Sequence, residues 1–307
     1  LTSSWDHFYR WKRLNEEDAD LAPRHDGLPL KPLLPILLRG LCAQGALLDL
    51  LENFTLFDSS GPRTHKILAR NHQVLGVNKA VAKLRSGDAD VLAGKLGVKK
   101  VVMMSGCPAG APGDQTPNWI TSTISWPDYM APALDYQWNE VAIPWWKKFV
   151  AHCQAHGVEQ IAIEEFPCML VYNPETLLRL RNAVGPTVGI NLDPSHLMAM
   201  GADPIASARA LKGAIFHIHG KDARIERGLA DINGLLETKP VTDAENRSWN
   251  YVAVGCGKDL QWWKEFFSVC RMGGYNGYVS LEMEDLTMSI DAGVTTSIDA
   301  LKQTISQ

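Results

Sequence analysis

After residue 97, five short apolar runs recur with helix-length stretches between them, at residues 101–105, 160–164, 188–193, 214–219 and 277–282. Strands alternating with helices of this length build βα units and a parallel sheet. The helical stretches carry start signals. Asn173-Pro174-Glu175-Thr176 offers a cap, a first-turn proline and an acidic first turn ahead of Leu177, Leu178 and Leu180. Asp203-Pro204 does the same ahead of Ile205, Ala208 and Leu211. A closed barrel needs eight strands. The expected fold is therefore α/β, an incomplete (β/α)8 TIM barrel over residues 97–307 that carries about the last five strands.

Four of the five runs close on a metal-type ligand: Glu164, Asp193, His219 and Glu282. In a (β/α) barrel the C-terminal strand ends converge on one mouth, where active sites sit. Three carboxylates and an imidazole meeting there repel one another strongly without a cation. One divalent ion (Mn2+, Mg2+, Co2+ or Zn2+) removes that cost and suits the mixed oxygen and nitrogen donors. An acid at a single strand end is as often a helix cap or a solvated loop residue. Four in successive strand-end positions point to a site. His217 alternates onto the same face as His219; His219 is the expected ligand, and His217 is expected behind it or in packing. Alternation puts Glu165 on the outer face, and Glu284-Asp285 reads as the cap of a following helix. Gly255-Cys256-Gly257 reads as a phosphate-binding backbone turn or, more simply, as a tight turn.

Ile161-Ala162-Ile163-Glu164, Asn191-Leu192-Asp193-Pro194-Ser195-His196-Leu197, His217-Ile218-His219-Gly220-Lys221-Asp222 and Gly277-Tyr278-Val279-Ser280-Leu281-Glu282 together resemble the sugar phosphate isomerase/epimerase family. Residues 99–106 and Pro117-Asn118-Trp119 resemble the same family's fourth strand and the loop after it. The family has the xylose isomerase-like TIM barrel. The resemblance implies a metal held by Glu164, Asp193, His219 and Glu282, and a sugar, sugar phosphate or polyol substrate. It implies isomerase or epimerase chemistry in which Glu164 and Glu282 face opposite sides of the substrate carbon. One removes the proton alpha to the carbonyl and the other returns it, through a metal-stabilised enediolate. His196 is then expected at a substrate hydroxyl or behind the ligands. Lys221, Asp222 and Arg224 are expected at substrate oxygens, although a solvated loop would read the same way.

The first 96 residues have a different texture. Residues 37–54 and 67–84 read as helices, residues 55–58 as a short strand, and the boundary is expected at residues 94–98. His7-Phe8-Tyr9-Arg10-Trp11 and Ala69-Arg70-Asn71-His72-Gln73 resemble the stretch before the helicase core of type I restriction endonuclease motor subunits. The phosphate loop that should follow is missing, since no Gly-x-x-x-x-Gly-Lys-[Ser/Thr] occurs in the chain. The resemblance implies a hybrid chain. It leaves a rival reading, a non-catalytic motor-subunit fragment acting through protein contacts. The absent early strands would leave open sheet edges, to be covered by the N-terminal helices or by a second copy in a homo-oligomer.

Bulk properties narrow the partners. A net charge of -4 argues against a general nucleic-acid surface. No run approaches a membrane span and residues 1–13 lack a signal pattern. The six cysteines form no Cys-x-x-Cys pair, which argues against a zinc-thiolate site and for reduced thiols in a cytoplasm. Most of the tryptophans fall at residues 119–146 and 249–263, where core packing and a pocket wall are the expected uses.

Overall fold

Each apolar run after Gly97 becomes a strand of one parallel sheet. In the computed structural model, which describes residues 55–58, 65–68, 93–121 and 130–305, the chain divides into two units, Leu1–Leu92 and Ala93–Gln307. In the first unit, β1 (Thr55–Asp58) pairs antiparallel with β2 (His65–Leu68). The strand expected at 55–58 is present. Ile67 and Leu68 were expected to open a helix and instead lie in β2, because pairing with Leu56 and Thr55 overrides their helical spacing. The remainder of the helices expected at 37–54 and 67–84, and the motifs resembling a motor subunit, lie outside the described residues.

The second unit opens with β3 (Lys100–Met104), followed by α1 (Met130–Asp135), a π-helix (Tyr136–Ala142) and α2 (Ile143–Ala155). Then come β4 (Gln160–Glu164), α3 (Pro174–Val184), β5 (Val188–Leu192), α4 (Pro194–Ala199) and α5 (Pro204–Ala210). After β6 (Ile215–Gly220) the chain forms an excursion of β7 (Asp222–Ile225), α6 (Arg227–Asn233) and β8 (Trp249–Val252). It closes with α7 (Leu260–Met272), β9 (Val279–Leu281) and α8 (Ile290–Thr304). The main sheet has the order β3-β4-β5-β6-β9, and every neighbouring pair is parallel. This is the curled, incomplete parallel sheet of a part-barrel. β7 and β8 form a separate antiparallel pair.

The start signals work as their chemistry requires. Asn173 accepts from Thr176 N at 2.9 Å, and Thr176 Oγ1 accepts from Asn173 N at 3.1 Å, a reciprocal box with Pro174 in the first turn. Asp203 Oδ1 accepts from Ile205 N at 2.8 Å. One face of the sheet is packed by helices: Ile161, Ile163, Val188, Ile190, Leu192 and Ile218 are buried with Leu177, Leu180, Trp146, Trp263 and Phe266. Each such side chain contributes roughly 1.5–3 kcal/mol of burial.

The other face is the inner wall of the barrel. Val102 and Met104 sit in register with Ala162 and Glu164, so all four point inward. Val102 is 44% exposed and Met104 39%. Tyr278, just before β9, is 87% exposed. Between β5 and β6 the register slips by one residue: Ile190 faces Ile215, whereas Asn191 faces His217. That slip aligns His217 and His219 with Asn191 on the inner face. Gly189 permits it, because a Cβ there would collide with the Phe216 ring and the Ala214 carbonyl. Among the described residues no helix is long and apolar enough to cross a membrane.

Candidate metal centre

Parallel strands end at the same level, so the residues at or just past the C-terminal ends of β4, β5, β6 and β9 gather at one mouth. One ligand atom from each of Glu164, Asp193, His196 and Glu282 lies within 4.8 Å of the others. His219 stands in the same group: its Nδ1 is 3.3 Å from Asp193 Oδ2, 3.4 Å from Glu282 Oε2 and 3.6 Å from Glu164 Oε1. The structure thus brings together all four expected ligands and adds a second imidazole.

Asp193 divides its two oxygens between fold and site. It caps α4, with Oδ1 accepting from Ser195 N at 2.9 Å and Ser195 Oγ at 2.6 Å. Oδ2 is left for the imidazoles, 3.3 Å from both His196 Nε2 and His219 Nδ1. His196, in the first turn of α4, also meets Glu164 Oε1 at 3.0 Å through Nε2. Its Nδ1 meets the Tyr251 hydroxyl at 3.0 Å. Lys221 is buried beside the mouth, 2.9 Å from Glu282 Oε2 and 3.2 Å from Glu284 Oε2, with its ammonium over the Tyr251 ring.

The charges interlock. Burial alone would lower the His219 pKa, but hydrogen bonds to Asp193, Glu164 and Glu282 outweigh it and hold it up at about 11. Burial alone would raise Glu164, yet its bonds to His196 and His219 bring it down to about 2. Asp193 and Glu282 are likewise held below the usual carboxylate range, Asp193 against its burial and Glu282 chiefly by its bond to His219. Three carboxylates and two imidazole nitrogens around one point form a donor set that fits a divalent cation. Where no metal is bound, the His219 proton supplies the positive charge.

That exchange sets a pH dependence. His219 is raised from 6.5 to about 11 in the fold. Its contribution to the metal-free protein is complete below about pH 6.5 and is lost as pH rises toward 11. Glu164, depressed from 4.5 to about 2, contributes above pH 4.5 and loses that contribution as pH falls toward 2. Urea midpoints of the metal-free chain should therefore peak between these limits. Metal affinity should run the other way between pH 7 and 10, rising about tenfold per pH unit as the ion displaces one proton. Calorimetric titration in two buffers reads that proton directly.

Asn191 is a further candidate that the strand-end reading missed. Its Nδ2 lies 3.0 Å from His219 Nε2, and its Oδ1 has no partner. Turning the amide over gives Oδ1 the Nε2–H of the ring and leaves Nδ1 directed at the carboxylates. Asn191→Leu should weaken Mn2+ binding about 10–100-fold with little change in the far-ultraviolet circular dichroism. Unchanged affinity would remove Asn191 from this role. Period-two alternation back from Asp193 was the signal that could have found it.

Other expected residues fall elsewhere. His217 shares the inner face, but its Nε2 meets Ser280 Oγ at 2.7 Å. Burial and the nearby Lys100 charge lower its pKa to about 4. Asp222, expected at a substrate oxygen, is buried in a backbone nest. Its Oδ2 accepts from the N–H groups of Gly255, Gly257 and Lys258, each at 3.0 Å, and from Trp263 Nε1 at 3.2 Å. The Gly255-Cys256-Gly257 turn therefore grips an internal carboxylate, and Gly257 is required because a Cβ would strike the Ala223 carbonyl. Arg224 is engaged by Glu226, with Nε and Nη2 at 3.0 and 2.7 Å from Oε1.

Three acids also depart from expectation. Glu165 was expected to face outward but is 0% exposed, with Oε1 accepting from Asp193 N at 3.0 Å. β4 ends at Glu164, so strand alternation does not extend to Glu165. Burial and the Asp193 charge push its pKa well up. Glu284 pairs with Lys221 and Asp285 accepts from Ala253 N, whereas the cap of α8 is Ser289.

Comparison with known proteins places this site in a family. The profile of the xylose isomerase-like TIM barrel family matches residues 88–304. An uncharacterised protein of Bacillus subtilis strain 168, YfiH, is 70% identical over 216 residues, covering 70% of this chain and 69% of that one. Among solved structures, a xylose isomerase domain protein from Planctomyces limnophilus is 19% identical, with a TM-score of 0.46 over 74% of this chain and 66% of its own. The probable 3-DHS dehydratase AsbF from Bacillus anthracis is 20% identical, with a TM-score of 0.47 over 75% of this chain and 72% of its own. The chain thus spans about two thirds of the length of each. A match over most of this chain, on a sheet whose strand ends carry the carboxylate and histidine cluster, makes it a member of the xylose isomerase-like TIM barrel family.

Proposed function

We propose that the chain is a metal-dependent isomerase or epimerase acting on a sugar or polyol by proton transfer alpha to a carbonyl. The observation that carries this is the ring of Glu164, Asp193 and Glu282 carboxylates around His219 Nδ1 at one set of strand ends. A divalent cation held by these residues and His196 or His219 would bind two neighbouring substrate oxygens and draw electrons from the carbonyl.

Glu164 and Glu282 reach the site from β4 and β9, with β5 and β6 between them. They can therefore approach a bound carbon from opposite sides. Glu164 Oε1 is tied to His196 and Glu282 Oε2 to Lys221, and the second oxygen of each serves as base on one face and acid on the other. Lys221, held protonated by its carboxylate neighbours against the effect of burial, steadies a substrate oxygen beside Glu282. His196 does so beside Glu164.

Proton magnetic resonance in D2O tests the chemistry. With Mn2+ present, a ketose substrate should lose its signal at the carbon next to the carbonyl. Glu164→Gln and Glu282→Gln should each slow that exchange by about 100-fold or more. Exchange that persists at the original rate in both variants would contradict the assignment.

A further inference from the structure

Tyr251 stands outside the main sheet, on β8 of the excursion, yet it touches two groups that flank the proposed acid–base pair. Its hydroxyl lies 3.0 Å from His196 Nδ1, and the Lys221 ammonium lies over its ring, 4.3 Å from the centroid. His196 reaches on to Glu164 Oε1 at 3.0 Å, and Lys221 to Glu282 Oε2 at 2.9 Å. One side chain from β8 therefore backs both glutamates, which come from strands that are not neighbours in the sheet.

The partners fix the direction of the first contact. His196 Nε2 faces two carboxylate oxygens, Glu164 Oε1 at 3.0 Å and Asp193 Oδ2 at 3.3 Å. Ionised carboxylates only accept, so Nε2 carries a proton. The neutral ring then has a lone pair at Nδ1, and the Tyr251 hydroxyl is the donor that meets it. Burial, with the Asp193 and Glu284 charges nearby, pushes the Tyr251 pKa upward, so the hydroxyl keeps the proton it donates. His196 is fully buried, and a donor lost at Nδ1 is not replaced from bulk solvent.

The second contact depends on the ring alone. Lys221 is buried, and its ammonium is attracted to the face of the aromatic ring. Glu282 and Glu284 hold the same ammonium at 2.9 and 3.2 Å. The ring is steadied in turn by Trp249 at 5.1 Å and by the edge-on His196 imidazole at 5.7 Å.

We infer that Tyr251 is a positioning residue for both halves of the site: its hydroxyl holds His196 with Nε2–H turned to Glu164, and its ring seats Lys221 at Glu282. The kinetic consequence rests on the proposed proton transfer, whereas the two contacts do not.

Two variants separate the contacts. Tyr251→Phe removes the hydroxyl and keeps the ring, and Tyr251→Leu removes both. The metal-free intact chain is labelled with 15N-histidine, and the His196 ring is assigned by its absence in His196→Gln. Nδ1 should resonate as an unprotonated nitrogen and Nε2 as a protonated one. Tyr251→Phe should shift Nδ1 and leave the His156 ring in place. The Lys221 ε-protons, assigned by their absence in Lys221→Met, should show an upfield ring-current shift in wild type and in Tyr251→Phe that disappears in Tyr251→Leu. These readouts need no turnover, so they judge Tyr251 whether or not the proposed reaction holds. On a ketose whose proton wild type exchanges, Tyr251→Phe should lower kcat about 10–100-fold at nearly constant KM, and Tyr251→Leu should raise KM as well. A protonated Nδ1 in wild type, or His196 resonances unchanged in Tyr251→Phe, would overturn the role of the hydroxyl. Lys221 protons that do not move in Tyr251→Leu would overturn the role of the ring.

Discussion

Asp193→Asn should lower Mn2+ affinity by about 100-fold or more while the fold survives. The two consequences separate because the two oxygens of Asp193 do different work. Oδ1 caps α4 through Ser195, and an asparagine carbonyl can do the same. Oδ2 faces both His196 and His219, and the amide brings no negative charge to that point. Asp193→Asn should also release His219 from part of the field that holds its proton, so the pH dependence of the metal-free chain should flatten above pH 7. Calorimetric titration with Mn2+ measures the first effect and urea unfolding the second. Wild-type affinity in this variant would show that Asp193 serves only as a helix cap.

The second large effect should appear at Asp222, far from any role in metal binding. Asp222→Ala should destabilise the chain by about 3–5 kcal/mol. The carboxylate satisfies the N–H groups of Gly255, Gly257 and Lys258 and the Trp263 indole through one oxygen, and its other oxygen accepts from Ala223 N at 2.8 Å. Removing it leaves three half-buried N–H groups, the Ala223 N–H and the buried Trp263 indole without their acceptor, each costing up to about 1–3 kcal/mol before water and local movement recover part. The intact nest joins β7 to the turn before α7 and to Trp263 within it, so the whole β7–β8 excursion should loosen in the variant. Chemical unfolding of the variant against wild type reads this directly. A change under about 1 kcal/mol would mean that the nest is not a structural support. Mn2+ affinity of the folded fraction should stay within a few-fold of wild type. A loss as large as that of Asp193→Asn would return Asp222 to the site.

These two aspartates also show what the sequence made legible. Asp193 could be read because its position follows from strand spacing: the run 188–192 is mostly apolar and the next residue must leave the strand at the mouth. Glu164, His219 and Glu282 were readable for the same reason, and so was the five-strand parallel sheet. Asp222 was misread because its direction depends on β7 turning away from the main sheet to pair with β8. Nothing in local spacing encodes that pairing. Glu165 and Tyr251 were missed on similar grounds. The first sits where the chain stops being extended, and the second reaches His196 from β8, more than fifty residues later. The register slip between β5 and β6 is another long-range feature, set by Gly189 and Phe216 together. The open inner face, by contrast, follows from counting strands, and exposed Val102 and Met104 are its consequence.

If β4, β5, β6 and β9 of this part-barrel assemble a metal centre, the isolated chain carries an ion. Elemental mass spectrometry of the purified intact chain, grown and dialysed with Mn2+, Co2+ and Zn2+ supplied, tests it most directly. About one divalent ion per chain, lost in a Glu164→Ala, Asp193→Ala double variant, is the predicted result. A folded chain that holds no ion under those conditions, or a double variant with unchanged metal content, would contradict it.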